Sequence, residues 1–201
     1  MLRSSTTLCA LLTSGKKSIR VFGDKAPALA ARGPEDEFFS ELDYPPGFRK
    51  FDNSPWQALH QADSRRPAIL VTGAGTKAQL AMTKASRILA GCFANFDAIT
   101  AYLKELGGEV LVVPAALFND YHVEDHLCAE AITLAAQGAQ GAAQEAKRKF
   151  LLTTRPAEFL DLRKENGKND MALALDINSL PVLPEIKIKD GCGEVSDALK
   201  S

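Results

Sequence analysis

The segment Val71-Thr-Gly-Ala-Gly-Thr-Lys-Ala78 has the glycine spacing that lets backbone amides approach an anion. It follows an apolar run, opens a helical pattern and fits G-x-G-x-x-A, a permissive form of the dinucleotide fingerprint. Such a loop can seat a pyrophosphate at a helix N-terminus. Two features stand against a nicotinamide-dependent oxidoreductase built on Thr72 to Ala78. A Rossmann domain usually opens with this unit, whereas about 67 residues precede it here. The acid expected about 20 residues further on, at the end of the next strand, has only Asp97 near it, in a helix start. The loop reads as well as a phosphate loop of another kind, or as a plain strand-to-helix turn.

A second cluster is His122-Val-Glu-Asp-His126. Histidines four apart share a helix face and suit zinc. Glu124, however, stands one place late for the H-E-x-x-H order, and no third ligand follows. Glu124 and Asp125 also suit an acidic helix start or a hard divalent cation. Phe51-Asp-Asn-Ser-Pro55 has turn composition. His60 reads as solvent-facing and Trp56 as core or interface. The cysteines at 9, 92, 128 and 192 form no C-x-x-C pair, which argues for four reduced thiols in a cytoplasmic protein.

These residues need a scaffold, and the hydrophobic pattern supplies one. Short helices are expected at Leu8–Thr13 and Pro27–Ala31, with a strand at Ile19–Phe22 between them. Gly23 to Pro46 otherwise reads as loop. Ala68-Ile-Leu-Val-Thr72 is a buried strand, followed by a helix over Thr76–Ile88 and a short strand over Leu89–Phe93. Phe96–Leu106 is an amphipathic helix stopped by Gly107-Gly108. Glu109–Val113 reads as another buried strand. Helices follow at Val123–Gln137, Ala142–Leu151 and Pro156–Arg163, and Met171–Val182 reads as a last strand. Strands alternating with helices predict an α/β fold: a largely parallel or mixed sheet with helices on both faces, in three layers. The chain reads as a single domain, or as one domain of two lobes at about 1–66 and 67–201.

Bulk properties exclude some classes. A net charge of -1 gives no electrostatic case for nucleic acid or an anionic membrane. No apolar run reaches the roughly 20 residues of a membrane span. Met1 to Leu12 is Ser/Thr-rich, carries Arg3 and lacks acids, as a targeting peptide would. Its apolar stretch, Leu8 to Leu12, has no cleavage site.

Several segments, in order, resemble the 2-phosphosulfolactate phosphatase family. Met1-Leu-Arg-Ser-Ser-Thr-Thr7 resembles its D-V-L-R-A-T-T loop, and Ala10, Gly15 and Val21 fall on the pattern that follows. Phe51 to Pro55 resembles a G-N-S-P turn, and Leu70 to Thr76 an L-T-T-N-G-T loop. Leu89 to Asn95 is similar to G-S-F-x-N-A. Val112 to Ala116 and Val123 to Ala129 resemble a C-A-G strand end and an S-L-E-D-x-L-C-A-G helix. The tail from Asn169-Asp170 to Pro184 is similar to a closing D-x-x-x-C-x-x-x-D stretch. Departures accompany the match. The acid before V-L-R and the first family strand have no counterpart. The G-E-R segment falls near Ser40-Glu41-Leu42 without its arginine. Ala74 stands for the asparagine of T-N-G-T, and Ala116 and Glu130 for two glycines.

The resemblance implies Mg²⁺-assisted hydrolysis of a phosphate monoester on a small acid, by a cytoplasmic enzyme, as a single chain or a homodimer. Arg3 would clamp phosphate oxygens bidentately. Thr6, Thr7, Asn95 and Cys128 would join it in catalysis. Asn53, Ser54, Thr72, Gly75 and Thr76 would bind the substrate, and Glu124 and Asp125 the metal. Cys128 equally suits a small buried apolar residue. The departures leave a second expectation, a catalytically inactive relative that binds a ligand or a partner.

Overall fold

Ala68-Ile-Leu-Val71 occupies the middle of a sheet because side chains on both of its faces are covered. Ala68 and Leu70 belong to the main core, while Ile69 and Val71 belong to a smaller one with Phe22, Ala28 and Phe38. Successive strand residues point to opposite faces, so an unbroken apolar run fits a strand covered on both sides. The structure is a computed structural model that describes residues 2–43, 49–115 and 122–200. Ala116 and the end of the Gly23–Pro46 stretch lie outside those residues.

Six strands form one sheet: β1 (Ile19–Phe22), β2 (Glu37–Ser40), β3 (Lys50–Phe51), β4 (Ala68–Val71), β5 (Pro184–Lys189) and β6 (Cys192–Asp197). Their order is β3-β2-β4-β1-β6-β5. The β3-β2, β2-β4 and β4-β1 pairs are parallel, and β6 runs antiparallel to both β1 and β5. The sheet is therefore mixed. The β5–β6 hairpin turns at Asp190-Gly191, both with positive φ, the backbone that an Asp-Gly turn favours.

Helices cover both faces. α1 (Ser4–Thr13) and α3 (Pro55–His60) pack together, and the fully buried Leu8, Cys9 and Leu11 of α1 join the main core. α2 (Lys25–Ala30) sits on the other face, where Ala28 meets the smaller core. α4 (Gly75–Ala81) follows β4. Beyond a 3₁₀ turn at Phe93–Asn95 come α5 (Phe96–Glu105), α6 (Val123–Ala136), α7 (Ala142–Leu151) and α8 (Arg155–Ala174). None of the described helices is long and apolar enough to cross a membrane.

Several expected elements differ. Glu37–Ser40 is a strand where loop is expected, and Pro55, the last residue of the expected turn, opens a helix that runs to His60. Ser54 caps α3 by accepting from the Gln57 amide (3.2 Å), with Pro55 at the first helical position, a favourable pairing. α8 continues to Ala174, so Met171–Val182 is not a strand; the closing strands are β5 and β6. Leu89 makes a single bridge to Glu185, and residues 109–113 belong to no strand.

Candidate functional site

Three parallel strands in register end together. Phe39 pairs with Phe51 and Ser40 with Val71, so the first residues past β3, β2 and β4 emerge on one edge. They are Asp52-Asn53, Glu41 and Thr72-Gly73. Ligand sites of open α/β sheets form at such carboxyl edges.

Arg3, just before α1, reaches this edge. Its guanidinium lies 3.3 Å from Asp52 Oδ1 and 3.6 Å from Glu41 Oε2. Burial lowers the Arg3 pKa, and Arg163 lowers it further, against the acids Glu41, Asp52 and Asp170. Arginine remains charged at any working pH. Thr7 Oγ1 donates to Asn53 Oδ1 (3.0 Å), and Asn53 Nδ2 donates to Glu41 Oε2 (3.0 Å). The Gly73 amide donates to Glu41 Oε1 (2.6 Å). Glu41 thereby ties the ends of all three strands to Arg3.

Asp170 comes to the same place from α8. Its Oδ1 accepts from Ser54 Oγ (2.6 Å) and from the Trp56 amide (3.2 Å), while Oδ2 is buried without a protein partner. Burial raises its pKa to about 6, against the lowering by Ser54, Trp56 and Arg3. An unfolded aspartate titrates near 3.9, so the native state holds more protons between the two values. This contribution to stability is present below pH ~4 and lost as pH rises through about 6. Asp170→Asn keeps the Oδ1 acceptor and removes the charge. Urea denaturation should show the variant gaining up to about 3 kcal/mol on the wild type at pH 7.5 and little at pH 4. A variant less stable than wild type at pH 7.5 would mean that Arg3 holds Asp170 ionised.

The Gly73–Thr76 loop lies against the same edge. A Cβ on Gly75 would stand 2.3 Å from Ser4 Oγ, so only glycine allows this approach. The Thr76 amide donates to Thr72 Oγ1 (3.0 Å) and the Thr72 amide to Thr76 Oγ1 (3.1 Å). With the Gly73 amide given to a carboxylate, the loop offers less to a pyrophosphate than its glycine spacing suggests.

The other expected site residues have partners of their own. Asn95 is fully buried. Its amide donates to the carbonyls of Ala90 (3.1 Å) and Val182 (3.0 Å), and its oxygen accepts from the Cys92 amide (2.8 Å). It therefore holds a loop together. Thr6 bonds the Cys92 thiol, which lies 3.9 Å from that of Cys9. Burial pushes the Cys128 thiol well up, keeping it protonated at neutral pH. Glu124 faces the Arg155 Nε at 3.1 and 3.2 Å, and His122 Nδ1 lies 3.0 Å from another nitrogen of Arg155. Asp125 lines a groove with Ser5, Gly75 and Cys128. No group of three or more His, Cys, Asp or Glu among the described residues converges as a metal cluster.

Arg3, Thr7, Asn53 and Ser54 thus lie past these strand ends, with Thr72 and Gly75 beside them. Glu41, Asp52 and Asp170 were not expected there. Glu41 occupies the acid position of the G-E-R segment and Asp170 opens the tail match, so motif register was the available signal.

A family model described as 2-phosphosulpholactate phosphatase matches residues 1–189. Curated relatives named probable 2-phosphosulfolactate phosphatase are similar to the chain. The Symbiobacterium thermophilum protein is 28% identical over 138 residues, covering 66% of this chain and 59% of the relative. The Thermoplasma volcanium protein is 30% identical over 141 residues, covering 68% and 65%. The Clostridium acetobutylicum protein is 28% identical over 78 residues, covering 39% and 33%. The matches therefore span less than two thirds of each relative's length.

Proposed function

Because the chain belongs to the 2-phosphosulpholactate phosphatase family, we propose that it hydrolyses a phosphate monoester of a small acid resembling 2-phosphosulfolactate. The observation that carries this reading is the gathering of Arg3, Asn53, Ser54 and Thr7 past the ends of β3, β2 and β4. In the reaction, water gives its oxygen to phosphorus, and its proton ends on the departing alkoxide. The products are inorganic phosphate and the free hydroxy acid.

Arg3 is the group suited to the transferring phosphoryl. Its planar fork matches two phosphate oxygens, and Glu41 and Asp52 hold that fork at the strand ends. Asn53, fixed by Thr7 and Glu41, orients the substrate beside it.

Magnesium binds through one or two carboxylates, with water and phosphate completing its shell. Of the expected pair, Glu124 is turned to Arg155, while Asp125 lines the groove beside Ser5 and Gly75. Asp125 would hold the ion, with water and phosphate completing its shell, and Glu124 with Arg155 would brace the start of α6. When bound, the ion would neutralise phosphate charge and acidify water.

The test is phosphate release from 2-phosphosulfolactate and from a generic aryl phosphate. Turnover should require Mg²⁺, stop with EDTA and return on adding Mg²⁺. A ligand-dependent thermal shift without phosphate release from either compound would replace the enzyme reading with that of an inactive binding relative.

A further inference from the structure

Two thiols that the hydrolytic reaction does not use touch inside the core. Cys9 of α1 and Cys92, just ahead of the 3₁₀ turn at Phe93–Asn95, are both fully buried, and their sulfurs lie 3.9 Å apart. They stand 83 residues apart in the chain; the packing of α1 on that turn brings them together. The two sulfurs differ in kind. The hydrogen bond from Cys9 lowers the Cys92 pKa to about 7, against burial that raises it, and Thr6 lowers it further. Burial, with the Cys92 sulfur alongside, pushes Cys9 well up. One sulfur therefore ionises near neutral pH while its neighbour keeps its proton, the arrangement of an attacking and a resolving thiol. Asn95 Oδ1, 3.4 Å from Cys92 Sγ, is an acceptor for a hydroxyl formed on that sulfur. Cys128 lacks this setting, because burial alone dominates it and holds it protonated.

We propose that Cys9 and Cys92 are a peroxide-sensitive pair that closes reversibly into a disulfide, stapling α1 to the 91–95 segment. The co-reactant is a hydroperoxide. The Cys92 thiolate attacks one peroxide oxygen and the O–O bond breaks. Sulfur is oxidised to a sulfenic acid, and the departing oxygen takes a proton to leave as water or an alcohol. The Cys9 sulfur then attacks the sulfenic sulfur. The S–S bond forms, the S–O bond breaks, and the hydroxide leaves as water with the Cys9 proton. Two thiols and one hydrogen peroxide thus give one disulfide and two waters. A small thiol such as glutathione reverses the bond by exchange. Gly91, next to Cys92, lines a groove of about 930 Å³ together with Ser5 and Cys128, so the backbone beside the pair borders open space. Local opening there admits a reagent hardly larger than water.

The test treats folded Cys192→Ala protein, which lacks the partly exposed thiol, with millimolar hydrogen peroxide. Catalase stops the reaction, and the protein is unfolded, alkylated and digested without reductant for mass spectrometry. A peptide linking Cys9 to Cys92 should exceed any other linked pair about tenfold and vanish with dithiothreitol. The oxidised protein should show a higher Tm than the reduced one, since the bond closes a long loop. Cys9→Ala should stop at a sulfenic acid on Cys92, captured by dimedone, whereas Cys92→Ala should leave Cys9 unlabelled. Cys9 and Cys92 alkylated as fully as in untreated protein overturn the pair. A Cys92–Cys128 link in its place overturns the assignment of Cys9 as resolving thiol, and a lower Tm on oxidation overturns the staple. If an alanine variant at 9 or 92 does not fold, the map of linked peptides from the Cys192→Ala protein decides. None of these readouts depends on phosphate release, so they stand apart from the test of the hydrolase reading.

Discussion

Lys16→Ala should destabilise the protein by about 3–5 kcal/mol, the cost of breaking a buried ion pair from one side. Lys16 Nζ lies 2.5 Å from Glu37 Oε2 and also donates to the carbonyls of Asp63 (2.8 Å) and Arg66 (2.7 Å). Both side chains are fully buried. Glu37 additionally pairs with Arg49 (2.6 Å) and accepts from the Asp63 amide. The cluster sits where β1 and β2 begin, at the sheet edge opposite Arg3, so it sets strand position. Truncating Lys16 leaves the Asp63 and Arg66 carbonyls without their donor and Glu37 with only Arg49 and the Asp63 amide. Glu37→Gln should cost a similar amount by leaving the ammonium unmatched. Lys16→Met with Glu37→Met should recover part of either loss, since removing both charges avoids the desolvation of either. Urea denaturation of the three variants measures each loss and the recovery. A Lys16→Ala cost below 1 kcal/mol would show that water reaches the pair.

The same cluster explains why β2 escapes a reading of the sequence. Glu37-Phe-Phe-Ser40 begins with an acid, follows Glu35 and Asp36, and looks like solvated chain. Its charge is met by Lys16, 21 residues earlier, a distance at which local patterns carry no information. β4, α5 and α6 were legible because their own spacing encodes the buried face. α3 and the β5–β6 hairpin carried readable signals, a Ser-Pro helix start and an Asp-Gly turn. α8 runs on from the expected Pro156–Arg163 to Ala174, through Gly167, where a Cβ would stand 3.0 Å from the Arg163 Cβ.

The site divides in a similar way. Arg3, Thr7, Asn53 and Ser54 were found through motifs, and register past three strand ends brings them together. Glu41 and Asp52 were hidden because an acid after a strand is ordinary turn composition. Only the parallel pairing of β3, β2 and β4 shows that both face one guanidinium. Glu124 shows the opposite failing. Its place beside Asp125 suggested a paired metal site, but Arg155 arrives from 31 residues away to neutralise it.

Arg3→Ala should lower kcat/KM for phosphate release by about 10²–10³-fold, since removing one donor to the charge that develops in a transition state costs about 3–4 kcal/mol. The guanidinium is the cation ion-paired to Glu41 and Asp52, and those acids cannot stabilise a phosphoryl group. Arg3→Lys should fall between the two, because an ammonium keeps the charge and loses the fork. Both variants also release Glu41 and Asp52 from their partner, so the rate must be measured on protein shown to be folded by circular dichroism and a Tm. Structural loosening would raise KM and lower the Tm together, whereas a lost transition-state contact lowers kcat at saturating substrate. Thr7→Val separates these further: it removes the donor to Asn53 Oδ1 (3.0 Å) without touching Arg3, and should cost about tenfold through misplacement of Asn53. If Arg3→Ala turns over within threefold of the wild type, the phosphoryl group does not sit at this edge, and the groove beside Asp125 becomes the place to look for the reaction.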